Sequence, residues 1–266
     1  MNERVRIDRH DGIAEVVMNR PDAINGLDYE MFTGLVGAAR ALGRDRSVRA
    51  VILRGEGRGF CAGLDFKSWG RQRGRMLRSF MKWGVKKTNL YQEAGYCWRR
   101  LPVPVIAVVH GVCYGGGMQI ALGADFRFAA PDADLSIMEA KWGLIPDMSG
   151  SVTLRELLPM DQAMRLTMTG ERFSGTRAKE LGLVTEVSDD PLAAARALAA
   201  EIATRSPDAV ALSKRLFHSS WTVSERRAFR VESGLQLKLL LGANHKEAVR
   251  ANMEKRAPRF AARSVR

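Results

Sequence analysis

The hydrophobic positions in the first half of the chain alternate between strand-like and helix-like patterns. Val5 and Ile7 lie at period two, and Ile13–Met18 is a second apolar run, so two strands are predicted. A helix is predicted over residues 28–43, because it begins at an Asp suited to an N-cap and ends at a glycine. Two strands therefore precede one helix.

The same alternation continues along the chain and becomes mostly helical after residue 161. A buried strand at 48–53 leads into a loop with four glycines, and a second at Val105–Val109 leads into Gly115-Gly116-Gly117 and a helix through Leu122. Further strands are predicted at 125–129, 135–137 and 183–187, and further helices from the basic stretch up to Arg100 and at 174–182, 191–205, 207–217 and 222–242. These elements predict an α/β protein.

Glycine-rich turns follow two of the buried strands. A turn that ends at a helix start presents unpaired backbone N–H groups, which favours anion binding or oxyanion stabilisation. Neither turn has the spacing of a nucleotide-binding loop. The alternative explanation of each glycine-rich turn is that its backbone needs a positive φ, which glycine adopts easily.

Composition narrows the class of protein. The chain has 266 residues, 46% of them apolar and 27% charged, which predicts one large domain or one domain with an appended helical segment and excludes disorder. No apolar run is long enough to span a bilayer, and residues 1–10 lack the apolar run of a secretory signal. Three cysteines without metal spacing are typical of a reducing compartment, so a cytoplasmic location without a metal site is expected.

The formal net charge of +13 is concentrated in two segments. Residues 67–100 hold ten Lys or Arg against Glu93 alone, and residues 246–266 hold seven against two Glu. Solvated helix faces are one interpretation, and a polyanionic partner is the other. A nucleic-acid-binding protein is therefore carried as a lesser hypothesis, because no nucleic-acid motif accompanies the charge.

The segment 59–63 has the G-x-nucleophile-x-G form of a hydrolase elbow, with Cys61 at the nucleophile position and His218 or His245 as a base. Residues 54–58 separate this segment from the apolar strand, which argues against an elbow. A small packed thiol is the favoured interpretation.

Several motifs, taken as an ordered set over about residues 5–190, resemble the crotonase superfamily of acyl-CoA enzymes, which includes the enoyl-CoA hydratases and isomerases. The motifs are Asn19-Arg20-Pro21-Asp22-Ala23-Ile24-Asn25, Arg58-Gly59-Phe60-Cys61-Ala62-Gly63-Leu64-Asp65, His110-Gly111 with Gly115-Gly116-Gly117, Glu139-Ala140-Lys141-Trp142-Gly143-Leu144-Ile145-Pro146, and the segments 173–178 and 181–184. Each motif alone is weak, and the set is specific.

The resemblance implies a crotonase-like spiral of ββα units over residues 1–190 that holds the active site, and a C-terminal helical region over residues 191–266 that packs homotrimers or hexamers. It implies an acyl-CoA thioester as substrate, with no separate cofactor because coenzyme A is part of that substrate. By position, the oxyanion hole is formed by the backbone N–H groups of Leu64 and Gly116. Ala62 and Gln119 are also expected at the substrate, and Lys67 and Arg71 at the phosphates of coenzyme A.

The reaction depends on the carboxylates. Hydratases of the family hold a water between two glutamates, and here those positions are Gln119 and Glu139. Gln119 can orient a water but cannot transfer a proton. Asp147 falls where dienoyl-CoA isomerases of the family place a second carboxylate, so double-bond isomerisation by Glu139 and Asp147 is slightly favoured. A helix N-cap is the alternative for Asp147, and hydration with Glu139 as the single acid and base is the alternative reaction.

Three departures from the family pattern affect the binding of substrate. His110 replaces the usual Asn, which favours a hydrogen-bonded structural role. Asp22 stands where many members place a basic residue near the phosphates of coenzyme A, so the cluster at 67–100 is the expected substitute. Four apolar residues near the expected site are candidates for an acyl pocket: Met118, Met138, Trp142 and Met148.

Overall fold

The structure, a computed structural model, describes residues 3–82 and 87–265, so that Lys86 and Arg266 of the two basic segments lie outside the described residues. The strands are β1 (Val5–His10), β2 (Ile13–Met18), β3 (Ala50–Gly55), β4 (Gly59–Cys61), β5 (Val105–Val109), β6 (Val112–Tyr114), β7 (Phe126–Ala129), β8 (Asp134–Ser136), β9 (Phe173–Ser174) and β10 (Glu186–Val187). The α-helices are α1 (Tyr29–Arg44), α2 (Phe66–Arg71), α3 (Arg73–Arg78), α4 (Leu90–Arg100), α5 (Gly116–Leu122), α6 (Gly150–Thr153), α7 (Met160–Thr169), α8 (Gly175–Glu180), α9 (Pro191–Ala203), α10 (Pro207–Ser220), α11 (Glu225–Leu240) and α12 (Ala243–Met253). Short 3₁₀ helices span Pro21–Ala23, Glu139–Trp142 and Leu154–Glu156.

Two sheets organise the chain. The larger has the strand order β1-β2-β3-β5-β7-β10 and the smaller has the order β4-β6-β8-β9. Pairing is parallel except where β1 meets β2 and where β9 meets β8. From β3 to β8 successive strands alternate between the two sheets, so the chain advances as a spiral with helices between its turns. This confirms the α/β spiral expected from the sequence.

The central strands of the larger sheet, β3 and β5, are mostly apolar because both of their faces are covered. All five residues of β5 are buried, and so are five of the six residues of β3. One face packs on α1 and α4, and the other packs on α9, where Ala195 and Ala199 lie against Ile52 and Ile106. Parallel strands buried on both sides need such continuous apolar runs. The first helix after residue 190 therefore contributes to the core of the spiral.

Helix starts follow their predicted caps. The Asp28 carboxylate accepts a hydrogen bond from the Met31 N–H at 2.8 Å, and the Ser174 hydroxyl accepts one from the Arg177 N–H at 3.1 Å. The basic stretch before Arg100 is helical as predicted but divides into α2, α3 and α4. The helix predicted over residues 222–242 is α11, and α12, which was not predicted, follows it.

The strand predicted over residues 183–187 is also shorter than expected. The N–H groups of Leu183 and Val184 both donate to the carbonyl of Ala178, because Gly182 adopts a positive φ of 84° and turns the chain back onto α8. Residues 183 and 184 thus close the end of a helix, and β10 begins only at residue 186.

A buried ion pair fastens α10 to the spiral. The Lys214 Nζ lies 2.7 Å from the Asp125 carboxylate and also donates to the carbonyls of Trp98 and Val103, each at 2.9 Å. Burial lowers the pKa of Lys214 against the opposing influence of Asp125. His218, on the same helix, contacts the other oxygen of Asp125 at 2.9 Å. His218 therefore has a structural contact rather than a place beside a nucleophile.

The second basic segment ties the chain's last described residues to the helices. Glu247 pairs with Arg250 at 2.6 Å and with Arg256 at 2.7 Å, and it accepts the N–H of Arg259 at 2.8 Å. Further on, Arg263 is 1% exposed and donates to the Asp45 carbonyl at 3.2 Å. Arg250, Arg256 and Arg263 of this segment are thus held by contacts within the chain.

No helix within the described ranges is both long and apolar enough to cross a membrane.

Candidate active site

A cavity of about 690 Å³ lies where the two glycine turns meet the carboxylates singled out by the sequence. Its wall contains nine of the candidate residues: Ala62, Leu64, Gly116, Gln119, Met138, Glu139, Trp142, Asp147 and Met148. The exposed residues Lys67 and Arg71 on α2 are not in that wall, and Met118 is packed in the core instead of lining an acyl pocket.

The two expected oxyanion donors border this cavity. The Leu27 N–H donates to the Gly63 carbonyl at 2.8 Å, and the Asp65 N–H donates to the Leu27 carbonyl at 3.1 Å, which leaves the intervening Leu64 N–H without an acceptor among the described residues. Gly116 is the first residue of α5, and its N–H has no acceptor in the described ranges either. Two free donors therefore border one space.

Asp65 fixes the turn that presents the Leu64 N–H. Its carboxylate caps α2 by accepting from the Ser68 N–H at 3.1 Å, and it pairs with Arg20 at 2.8 Å. Burial alone raises the pKa of Asp65, but these partners lower it to about 2. Sequence reasoning gave no role to the Arg20–Asp65 pair, although both residues lie in quoted motifs. No spacing of residues in the sequence indicates that Arg20 and Asp65 form an ion pair.

The glycine triplet has no room for side chains. Gly115 adopts a φ of 51°, and a Cβ on Gly117 would lie 2.7 Å from both the Cβ and the carbonyl oxygen of Cys61. A Cβ on Gly116 would lie 2.8 Å from the Met148 sulfur. The triplet thus brings the start of α5 against β4, and this close approach places the second donor beside the first.

Gln119 holds Glu139 in place. Its side-chain carbonyl accepts the N–H groups of Met148 at 2.8 Å and Gly150 at 3.0 Å, and its amide NH₂ donates to the Glu139 Oε1 at 2.6 Å. The other oxygen of Glu139, Oε2, is buried and has no hydrogen-bond partner among the described residues. The Gln119 side chain is thus bonded to other residues of the protein, and its role is to position the Glu139 carboxylate.

Burial raises the pKa of both carboxyl groups. Glu139 is 7% exposed, and its pKa is raised by burial and by the nearby charge of Asp147, while the bond from Gln119 opposes the increase. Burial also raises the pKa of Asp147. Asp147 does not cap a helix: α6 begins at Gly150, after Ser149, so the N-cap alternative is wrong. Two interacting carboxyls in one cavity favour acid–base chemistry.

The thiol nucleophile hypothesis is not supported by the site. β4 does end at Cys61, contrary to the expected separation of strand and motif, but the next helix begins only at Phe66. Cys61 is fully buried, its thiol donates to the Asn25 carbonyl at 3.2 Å, and burial raises its pKa to about 12. His110 contacts the Gly57 carbonyl at 2.8 Å, in keeping with a structural role.

Apart from Trp142, sequence reasoning missed the aromatic residues of the cavity wall. Phe32, Trp69, Phe80 and Tyr91 come from α1, α2, the segment after α3, and α4. No motif or spacing joins them, so only the fold brings them together. They give the cavity an apolar wall beside its two carboxyl groups.

Comparisons with known proteins identify the family to which the chain is similar. A family described as "Enoyl-CoA hydratase/isomerase" matches residues 8–263. The enoyl-CoA hydratase EchA19 of Mycobacterium tuberculosis is 35% identical, covering 92% of this chain and 91% of that protein, and the peroxisomal Delta(3,5)-Delta(2,4)-dienoyl-CoA isomerase of Arabidopsis thaliana is 32% identical, covering 97% and 96%. The crystal structure of an enoyl-CoA hydratase from Bacillus anthracis superposes with a TM-score of 0.88 at 28% identity, covering 97% of this chain and 98% of that one.

Proposed function

Since the chain belongs to the enoyl-CoA hydratase/isomerase family, we propose that it moves a carbon–carbon double bond along the acyl group of an unsaturated acyl-CoA thioester. The observation that carries the proposal is the hydrogen bonding of Gln119, whose carbonyl accepts two backbone N–H groups and whose amide NH₂ donates to Glu139. Glu139 and Asp147 are the two carboxyl groups in the described wall of the cavity. They are a pair suited to taking a proton from one carbon and returning it to another.

The proposed cycle begins at the thioester carbonyl, whose oxygen accepts the N–H groups of Leu64 and Gly116. Ionised Glu139 removes a proton from the α-carbon of a 3-enoyl ester, and the electron pair of that C–H bond moves into a dienolate whose oxygen carries the charge. Protonated Asp147 then donates a proton to the γ-carbon, which leaves a 2-enoyl ester. Glu139 then holds the proton from the α-carbon and Asp147 is ionised, so the loss of a proton from Glu139 to solvent and the gain of one by Asp147 restore the starting state.

The hydrogen bond from Gln119 supports the choice of Glu139 as the base. A bond donated to a carboxylate favours its ionised form, whereas burial and the charge of Asp147 raise the pKa of Glu139. Burial also raises the pKa of Asp147, which we assign as the acid. One proton held between two interacting carboxyls is the arrangement that an acid and base pair requires.

The reaction is tested by offering the purified protein 2-enoyl-, 3-enoyl- and 3,5-dienoyl-CoA esters and following conjugation with the thioester by ultraviolet absorbance. We expect double-bond migration in the 3-enoyl or 3,5-dienoyl ester and slow hydration of the 2-enoyl ester. Robust hydration without migration would establish the alternative, in which Glu139 alone serves as acid and base.

Replacing Gln119 with Glu is expected to shift the enzyme toward hydration. The new carboxylate would keep the N–H groups of Met148 and Gly150 on one oxygen and face Glu139 with the other, which restores two carboxylates around a water. We expect the ratio of hydration to isomerisation to rise by at least about tenfold. Repulsion should also move the acid limb of the pH–kcat profile to higher pH.

Gln119→Met serves as the matched control, because it keeps the length of the side chain and supplies no carboxylate. An unchanged ratio in Gln119→Glu, with activity retained, would show that the second carboxylate does not select the reaction.

The first basic segment is proposed to attract the phosphates of coenzyme A. Lys67, Arg71 and Arg73 are exposed and have no ion-pair partner among the described residues, whereas Arg75 stacks on Tyr29 with its guanidinium 3.6 Å from the ring centre. Replacing Arg71 and Arg73 with Ala should weaken the binding of coenzyme A about 2- to 10-fold at low salt. Isothermal titration at several salt concentrations measures this, with a smaller salt dependence expected in the variant.

The double variant of Arg226 and Arg227, which are exposed on α11, is the control for this loss of charge. If both double variants weaken the binding of coenzyme A equally, the charge of the first basic segment serves only to keep its surface solvated. Salt-sensitive binding of mixed RNA, without binding of acyl-CoA, would favour the nucleic-acid hypothesis instead.

A homotrimer or a hexamer made of two trimers is proposed as the assembly. Large apolar side chains are exposed on α11 and directly after it, namely Phe229, Leu237, Leu240 and Leu241, the last 75% exposed. Contact with further copies of the chain would remove this surface from water. Light scattering should give three or six times the 29.5 kDa mass of the chain, and a monomer at micromolar concentration would contradict the proposal.

A further inference from the structure

Aromatic rings are concentrated in the wall of the active-site cavity. The chain has ten Phe, five Trp and four Tyr, and seven of these rings border this one space: Phe32, Phe66, Trp69, Phe80, Tyr91, Tyr114 and Trp142. A cavity for a plain alkyl chain needs only aliphatic residues of the right volume. The wall of this cavity instead offers faces and edges of rings.

Four of the rings form a connected array. The centres of the Phe32 and Tyr91 rings are 4.9 Å apart at an interplanar angle of 86°, and those of Phe80 and Tyr91 are 4.6 Å apart at 47°. The Trp69 ring meets Phe80 edge-on at 6.3 Å. These spacings lie in the range at which aromatic pairs attract one another, and a further ring lying against the cavity side of the array would be attracted in the same way.

The array is held rigidly at Tyr91. Its hydroxyl donates to the Met76 carbonyl at 2.7 Å, and Phe32 beneath it is 1% exposed. The hydroxyl of Tyr114 is likewise taken, by the carboxylate of Asp134. Because the two phenol hydroxyls that border the cavity are bonded to the protein, these rings contribute their carbon surfaces to substrate.

The array shares one cavity with the reacting groups. Tyr91 and Asp147 both line that cavity, and burial raises the pKa of Tyr91 to about 12, with a further increase from the charge of Asp147. An acyl group whose γ-carbon lies at Asp147 therefore has the aromatic wall of the same cavity available to its next atoms.

We propose that the acyl group of the substrate carries an aromatic ring beyond its reacting carbons, so that the preferred substrate is an aryl-bearing unsaturated acyl-CoA. The inference rests on the proposed function for the position of the reacting carbons, and it concerns the part of the substrate that does not react. Contact of the ring with two members of the array should strengthen binding about tenfold over a linear acyl chain with the same number of carbons.

The test measures binding of two saturated thioesters that cannot isomerise, 4-phenylbutanoyl-CoA and decanoyl-CoA, by isothermal titration. Both acyl groups have ten carbons, and the linear one is the more hydrophobic, so a cavity that selects only apolar surface would favour decanoyl-CoA. We expect the aryl ester to bind about tenfold more tightly. Equal affinities, or tighter binding of decanoyl-CoA, would overturn the inference. Because no turnover is needed, failure of the isomerase proposal would leave this ratio readable.

Variants identify the residues responsible. Trp69→Leu and Phe80→Leu alter partly exposed positions and so keep the core intact, whereas Phe32 and Tyr91 are buried. We expect the affinity ratio to fall from about 10 to below about 3 in each variant. Trp221→Leu, at a 64% exposed position outside this cavity, should leave the ratio unchanged. An unchanged ratio in both cavity variants would overturn the assignment to this array.

Discussion

Replacing Glu139 with Gln will lower kcat for double-bond migration by about 10²- to 10⁴-fold, because the variant keeps the shape of the side chain and loses its capacity to take a proton. The bond from Gln119 can persist to the new amide oxygen, so binding of a saturated acyl-CoA should change little. Stopped-flow absorbance gives kcat, and isothermal titration gives the affinity. Full activity in this variant would remove Glu139 from the mechanism.

The same variant should be more stable than the parent protein above pH 5. The folded-state pKa of Glu139 is raised, so the fold favours its protonated form, and ionisation costs stability as pH rises from the unfolded pKa through the folded one. The difference in melting temperature between Glu139→Gln and the parent should therefore be near zero at pH 4 and increase toward pH 8. Glu186→Gln, at an exposed strand residue, is the control for the change of charge.

Replacing Asp147 with Asn should separate the two proton transfers. Glu139 would still remove the α-proton of a 3-enoyl ester, but no acid would protonate the γ-carbon, so migration should fall by about 10²-fold or more. In deuterium oxide, mass spectrometry should show that α-hydrogens of the 3-enoyl ester continue to exchange in the variant while little 2-enoyl ester forms. Exchange without migration is a result that general damage to the site would not give.

Undiminished migration in Asp147→Asn would mean that Glu139 alone carries the proton between the two carbons. The parent enzyme should also show a bell-shaped pH–kcat profile, because it needs one carboxyl ionised and the other protonated. Since burial raises the pKa of both groups, the optimum should lie above the usual range of carboxyl pKa values.

The candidate site was predictable where a residue type carries its own chemistry or geometry. The glycine triplet marked the start of α5, and Glu139 and Asp147 were identified by chemistry and by resemblance. The hydrogen bonds that hold the Gln119 side chain were not predictable. Two of its partners are the backbone N–H groups of Met148 and Gly150, and every residue except proline has such a group. The sequence therefore led to the expectation that Gln119 orients a water, whereas in the fold its side chain donates a hydrogen bond to Glu139.

The fold was likewise predictable only in part. Apolar runs predicted the central strands β3 and β5, since strands buried on both faces need such runs. Element ends were less predictable, because the carbonyl of Ala178 accepts the N–H groups of Leu183 and Val184 and β10 begins only after them. The array of four rings could not be predicted for a related reason. Its members come from four segments spread over residues 32–91, and only the fold brings them to one cavity.

The fastening of the last described residues has a consequence for the order of folding in the cell. Asp208 accepts the N–H groups of Ser264 and Val265 at 2.7 and 3.1 Å, and Arg263 reaches the carbonyl of Asp45, 218 positions earlier in the chain. The end of α1 therefore gains its buried Arg partner only after residue 263 has left the ribosome. Until then that edge of the nascent chain lacks this contact, and we infer that its closure is a late step in folding.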